Sequence, residues 1–210
     1  LGAVPVPGKG GGGDGDGFSI GGGHVAHANR RNIDLTYIVM DNQIYGLTKG
    51  QLSPTSRRGL QTVTSAHGAM EGPVNPLLYV LGYGGEFVAQ GTPADMNGLA
   101  TIIEAGIRFP GFAFINVQSP CVTYGQEDQQ LKAQKALMQS LDALKHDPAD
   151  RLAAMALAQQ YGEKLYTGVF YRTPAPTPTF ESSAKARHQA MGAATRSRAD
   201  VMDVFRLIKK

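Results

Sequence analysis

The chain has 210 residues, of which 42% are hydrophobic and 18% charged, with a formal net charge of +3 at pH 7. That is enough for one good-sized domain with its own core. No apolar run approaches the ~20 residues of a membrane span, and a single cysteine excludes an intrachain disulfide. The positive excess gathers near the end, where Lys185, Arg187, Arg196, Arg198, Arg206, Lys209 and Lys210 outnumber Glu181, Asp200 and Asp203. Phe205 is the one aromatic residue among these cations, so a solvated tail is expected rather than a nucleic-acid surface. With no signal peptide and no cysteine framework, a soluble cytoplasmic protein is the expectation.

Residues 1–12 (LGAVPVPGKGGG) are too rich in Gly and Pro for a central strand and read as an irregular segment. The composition of 18–31 suits a helix, closed by Arg30 and Arg31 at the end that favours cations. Residues 33–40 (IDLTYIVM) form an apolar, β-branched run suited to a strand buried on both faces. A polar loop with Gly46, Gly50 and Pro54 follows, and Pro73 and Pro76 forbid a long helix before 76. Beyond it come a helix or apolar turn over 76–82 and a strand over 86–90. A helix over 93–108 is expected to be capped by Thr92, with Pro93 in its first turn. A second buried strand spans 111–118, and helices are expected over 127–144 and 150–160. Residues 161–171 read as a strand or hairpin. Prolines 174, 176 and 178 impose an extended stretch, and the last thirty residues read as an arm or surface helix. Strands alternating with helices predict a mostly parallel sheet covered on both faces. Phe112, Phe114, Tyr166, Phe170 and Tyr171 are core candidates.

The most informative stretch is Gly13-Asp14-Gly15-Asp16-Gly17, together with Asp41-Asn42 one helix and one strand later. Both segments fall at the C-terminal edge of parallel strands, where open α/β sheets bind ligands. Asp14 and Asn42 offer a carboxylate and an amide oxygen, hard donors suited to Mg²⁺. A Gly-rich loop opening a helix offers backbone N–H groups to a diphosphate. Turn chemistry alone also favours Asp, Asn and Gly at such places. His24 and His27, one helical turn apart, read as helix-surface or outlying residues, because an Mg²⁺ site prefers oxygen.

The block from Met40 to Ser56 (MDNQIYGLTKGQLSPTS), taken with GDGDGFSIGG, resembles the β subunit of 2-oxoacid:ferredoxin oxidoreductases, which are thiamine-diphosphate enzymes. Further matching stretches are Gly72-Pro-Val-Asn-Pro76, Gly111-Phe-Ala-Phe114, Ser119-Pro-Cys-Val-Thr-Tyr124 and residues 162–171 (GEKLYTGVFY). The resemblance implies a thiamine-diphosphate-binding α/β fold, N-terminally incomplete, with a cofactor domain over 13–172 and an extended C-terminal arm over 173–210. By position it implies Asp14, Asn42 and the Ile44 carbonyl as Mg²⁺ ligands. Gly13, Gly15 and Asp16 would line the diphosphate, and Thr48 and Lys49 would face the 2-oxoacid carboxylate or coenzyme A.

Cys121 matches a family ligand of a [4Fe–4S] cluster. The family's Cys-x-x-Cys pair and further cysteine have no counterpart in these 210 residues. The implied activity is oxidative decarboxylation of a 2-oxoacid, 2-oxoglutarate ahead of pyruvate, to acyl-CoA and CO₂ with electrons to ferredoxin. It would need an α subunit, which supplies the glutamate that activates the cofactor. A non-redox thiamine-diphosphate decarboxylase and a non-catalytic assembly component are the alternatives.

Overall fold

A computed structural model of the chain describes residues 8–124 and 127–190. Strands β1 (Gly8–Gly13), β2 (Leu35–Asp41), β5 (Phe87–Gly91), β6 (Ala113–Gln118), β7 (Met138–Ser140) and β8 (Leu165–Arg172) build one sheet. Its spatial order is β1-β2-β6-β5-β8-β7. The first four run parallel to one another, and β8 lies antiparallel to β5 and parallel to β7. A two-residue pair, β3 (Ile44–Tyr45) and β4 (Gln51–Leu52), stands outside the sheet as a small hairpin.

Apolar side chains alternate across the central strands, so each face acquires its own core. One face holds Val39, Val88 and Phe114 against helices α1 (Asp14–Phe18), α2 (Gly22–Arg30), α3 (Pro76–Gly82) and α6 (Arg151–Ala158). The other holds Phe87, Ala113, Ile115 and Val117 under α4 (Met96–Ile107). This is the mostly parallel sheet with helices on both faces that the alternation of elements predicted. Helices α5 (Glu127–Leu137) and α7 (Phe180–Ala190) complete the elements, and α7 buries no residue. Among the described residues no helix is long and apolar enough to cross a membrane.

The irregular segment expected over 1–12 is corrected from Gly8 onward, because Gly8 to Gly13 pair residue by residue with Leu35 to Met40. The run is tolerated because it lies at the sheet edge and the Tyr37 ring of β2 rests against it. A Cβ on Gly10 would sit 3.4 Å from that ring, and one on Gly12 would sit 3.0 Å from its hydroxyl. Residues 1–7 lie outside the described residues.

The helix expected over 18–31 is α2, which begins only at Gly22; α1 is a separate short helix that ends at Phe18. Asp95, not Thr92, caps α4, its carboxylate accepting the Gly98 N–H at 3.0 Å. Thr92 is instead buried and donates to Gln134. The helix expected to reach 144 stops at Leu137, because the next residues pair with β8 and bury Leu141. The extended arm expected over 173–210 holds only to Thr179, where α7 begins at the next residue. The rest of that arm, with Arg196 to Lys210, lies outside the described residues.

Asn32 ties three parts of the fold together. Its Oδ1 accepts the Phe112 N–H at 2.8 Å, and its Nδ2 donates to the Thr177 carbonyl at 2.9 Å. Its backbone adopts φ 46°, a left-handed conformation that Asn tolerates better than most residues. Asn32→Ala should lower the unfolding free energy by about 1–3 kcal/mol, since it orphans a buried N–H. Urea unfolding of the intact protein with an unchanged midpoint would contradict this.

Candidate functional site

The site forms where β1 and β2 end side by side, Gly13 lying opposite Met40 in the ladder. Beyond Gly13 the chain turns into α1, whose first residue is Asp14; beyond Asp41 it turns through Asn42 into β3. Parallel pairing thus brings Asp14 and Asn42 together, and the Asn42 N–H donates to Asp14 Oδ1 at 3.4 Å. Asn42 Oδ1 accepts the Ile44 N–H at 3.0 Å, curling the chain so that Gln43 takes φ 61°. The three expected metal-ligand positions therefore share one turn of chain and its neighbouring strand end.

Asp14 is 1% exposed. Its Oδ2 accepts the Thr55 hydroxyl at 2.6 Å. Thr55 lies 3.1 Å from Oδ1 of a second buried carboxylate, Asp41. A threonine has one hydroxyl proton, and the shorter contact to Asp14 takes it. Asp41 Oδ2 is held from the other side by Gln118 Nε2 at 2.7 Å, Asn116 Nδ2 at 3.1 Å and the Tyr161 hydroxyl. Asn116 Nδ2 also donates to Gln90 Oε1 at 3.0 Å. Burial pushes the Asp41 carboxyl up to about 6; the charge of Asp14 adds to this, while the bonds from Tyr161 and Asn116 pull it back. Burial, with the adjacent Asp41 charge, likewise raises the Tyr161 phenol well above its ordinary value. Asp41, Gln118, Gln90 and Tyr161 line a cavity of about 250 Å³ that also touches Asn42.

Among the described residues neither carboxylate has a cationic partner, and the ion pair present, Arg108 with Glu104, lies on an exposed face of α4. A buried carboxylate without a countercharge is costly. That demand, together with carboxylate, amide and carbonyl oxygens in one turn, fits a hard divalent cation such as Mg²⁺. No group of three or more His, Cys, Asp or Glu gathers among the described residues.

The Gly13 N–H donates to Asp16 Oδ2 at 3.3 Å. Gly15 has a steric reason as well: a Cβ there would lie 2.1 Å from Cε1 of Tyr45, whose hydroxyl donates to the Gly15 carbonyl at 3.2 Å. Thr48 and Lys49 sit at the tip of the β3–β4 hairpin, both exposed. Thr48 donates to Gln51, and Lys49 adopts φ 78°. Leu47 beside them is 99% exposed. Cys121 is buried, accepts the Tyr124 N–H at 3.4 Å and lies against Gly46, which places it behind the same hairpin. A [4Fe–4S] cluster needs four ligands, and the residues of this chain, with one thiol, do not fit it on their own. His24 and His27 are exposed on α2, away from any such cluster of ligands.

Thr55, Asn116, Gln118, Gln90 and Tyr161 have no place among the residues that the sequence singled out. Two of them left a signal, since Gln90 and Asn116 are polar residues inside the apolar strands FVAQG and AFINVQ.

Residues 11–117 match the thiamine pyrophosphate enzyme C-terminal TPP-binding domain, and residues 121–189 match the C-terminal region of the pyruvate ferredoxin oxidoreductase β subunit. The chain is 38% identical over 159 residues to the 2-oxoglutarate synthase subunit KorB of Methanothermobacter marburgensis, covering 75% of this chain and 55% of that protein. It is 34% identical over 181 residues to a 2-oxoacid:ferredoxin oxidoreductase β subunit of Sulfolobus sp, covering 81% and 59%. A solved structure of 2-oxoglutarate:ferredoxin oxidoreductase from Magnetococcus marinus, with 2-oxoglutarate, coenzyme A and succinyl-CoA bound, superposes with a TM-score of 0.80 at 40% identity. That match covers 92% of this chain and 65% of the other. The chain thus spans between about half and two thirds of the proteins it matches. Fold, strand-end turn and these likenesses agree: the chain belongs to the thiamine pyrophosphate enzyme family, among the β subunits of 2-oxoacid:ferredoxin oxidoreductases.

Proposed function

We propose that this chain holds thiamine diphosphate, through Mg²⁺, in an enzyme that oxidatively decarboxylates a 2-oxoacid. Coenzyme A takes the acyl group, CO₂ leaves, and two electrons pass to ferredoxin. The observation that carries the reading is the buried carboxylate of Asp14, without a cationic partner among the described residues and set against Asn42 at the ends of two parallel strands. Asp14 and the side chain of Asn42, with the Ile44 carbonyl, would hold the metal. The first-turn N–H groups of α1 at Gly15 and Asp16 have no carbonyl inside that helix to bond, which suits them to the diphosphate.

Bound thiamine diphosphate supplies the carbanion chemistry that lets the carboxylate leave. The protein's own part is positioning and charge. Lys49, exposed on the hairpin with Thr48, would meet an anionic substrate or the phosphates of coenzyme A. Both groups stand at the rim beside the fully exposed Leu47, which supports a site completed by a partner α subunit. Cys121 would offer one thiolate to an iron–sulfur centre whose other ligands come from outside these residues.

2-Oxoglutarate is proposed ahead of pyruvate, because the relatives matched from Methanothermobacter and Magnetococcus carry 2-oxoglutarate in their names. The test is anaerobic turnover of the enzyme purified with its natural partner. Coenzyme-A-dependent reduction of ferredoxin should be faster with 2-oxoglutarate than with pyruvate. Release of CO₂ without electron transfer would replace this reading with a non-redox decarboxylase. Retained subunit pairing without any binding of thiamine diphosphate would replace it with a non-catalytic assembly component.

A further inference from the structure

The loop that follows the β3–β4 hairpin has no role in the reading above, yet it is buried where the metal ligands are set. Ser53, Thr55 and Ser56 are 7%, 1% and 4% exposed, unusual for three hydroxyl residues in one loop. The turn closes on itself, the Ser53 N–H donating to Ser56 Oγ at 2.8 Å, and is fastened from behind by the Val74 N–H on the Pro54 carbonyl at 2.8 Å. It then reaches the candidate metal turn at two points. Ser56 Oγ donates to the Gln43 carbonyl at 2.7 Å, between Asn42 and Ile44. Thr55 Oγ1 donates to Asp14 Oδ2 at 2.6 Å, leaving the Asn42 N–H on Oδ1.

We propose that the Ser53–Ser56 turn sets the metal ligands, with Thr55 as the positioning residue that fixes the rotation of the Asp14 carboxylate. The inference rests on the Mg²⁺–diphosphate reading of Asp14. A carboxylate free to rotate presents either oxygen to a cation, whereas one whose Oδ2 is pinned presents Oδ1 in a set direction. Asp41 takes part from behind: its Oδ1 faces the same hydroxyl, so Thr55 cannot swing away without moving toward another acceptor. Asp41 is itself immobilised by Tyr161, Gln118 and Asn116. The second half of the chain therefore braces, through Tyr161, a ligand that lies in the first helix.

The experiment measures Mg²⁺ affinity at saturating thiamine diphosphate by calorimetry, in the enzyme assembled with its partner. Thr55→Val keeps the shape and removes the hydroxyl; it should weaken Mg²⁺ by about 10- to 100-fold, as expected when an outlying partner of a metal ligand is lost. Thr55→Ser restores the donor and should return the affinity to within about threefold of the native value. Thr36→Val serves as the control, because Thr36 is also buried and hydrogen-bonded, to the Gly106 carbonyl at 3.1 Å on the opposite side of β2. It should move the unfolding midpoint and leave Mg²⁺ affinity alone. The proposal is overturned if Thr55→Val binds Mg²⁺ as the native protein does while Asp14→Ala does not. It is equally overturned if Thr36→Val weakens Mg²⁺ as much as Thr55→Val, or if Thr55→Ser fails to rescue. Native affinity in Asp14→Ala would remove the metal reading itself.

Discussion

Asp14→Ala is expected to lower the affinity for Mg²⁺ and thiamine diphosphate by about 100-fold or more, ~2.8 kcal/mol. Asp14 is the one carboxylate at the turn that also bonds to the Asn42 backbone, so its removal takes away the charge and the link between the two ligand segments. Asp14→Asn separates these effects. It keeps the shape and an oxygen acceptor, so the protein should fold with its turn intact, yet without the charge the metal should bind weakly. Calorimetry on the assembled enzyme, with circular dichroism to show that the fold persists, decides the matter. Unchanged cofactor affinity in either variant would sink the assignment of Asp14. Asp14 is buried without a cationic partner among the described residues, so Asp14→Asn in the absence of Mg²⁺ is expected to be neutral or slightly stabilising.

The second large effect belongs to Gly15→Ala. A Cβ there meets Cε1 of Tyr45 at 2.1 Å and Cζ at 2.5 Å, distances no packing tolerates. The Tyr45 ring must move, its bond to the Gly15 carbonyl breaks, and β3, which carries Ile44, moves with it. The expected loss is about 1–3 kcal/mol of stability, typical of overpacking, together with at least a tenfold drop (~1.4 kcal/mol) in cofactor affinity. Removing the obstacle distinguishes this steric cause from a lost backbone contact. Gly15→Ala combined with Tyr45→Ala should recover stability relative to Gly15→Ala alone. If the double variant is as unstable as the sum of the two single changes, Tyr45 is not what Gly15 accommodates.

The sheet and the turn that brings Asp14 to Asn42 were legible because both rest on local signals. The apolar runs at 35–40 and 113–118 carry the period and composition of strands buried on both faces, and Asp14 and Asn42 stand just past strand ends. Element ends were less legible. Thr92 and Pro93 form a sound cap signal, yet Asp95 three residues on caps better because its carboxylate reaches Gly98. The glycine run before Asp14 reads as irregular on propensity, and only the Tyr37 ring lying over it explains why it pairs as a strand. The outlying hydrogen-bond partners were the least legible. Tyr161 lies 120 residues from Asp41 and Thr55 lies 41 from Asp14. No spacing rule relates such positions, since chain crossovers set their proximity.

The strand that delivers Asp14 is nearly bare. Within Gly8–Gly13 only Lys9 has a side chain, so β1 adheres to β2 through its ladder bonds and the glycine contacts on Tyr37, without a hydrophobic face of its own. Glycine also loses the most backbone freedom on ordering. An edge held in this way is expected to open more readily than the buried central strands. A ligand gripped at Asp14 binds only the closed register, so occupancy and order of the edge are thermodynamically linked. Every transient opening of the strand is then discounted from the measured affinity. A cofactor held at Asp14 would thus serve this edge as the anchor that side chains provide elsewhere in the sheet.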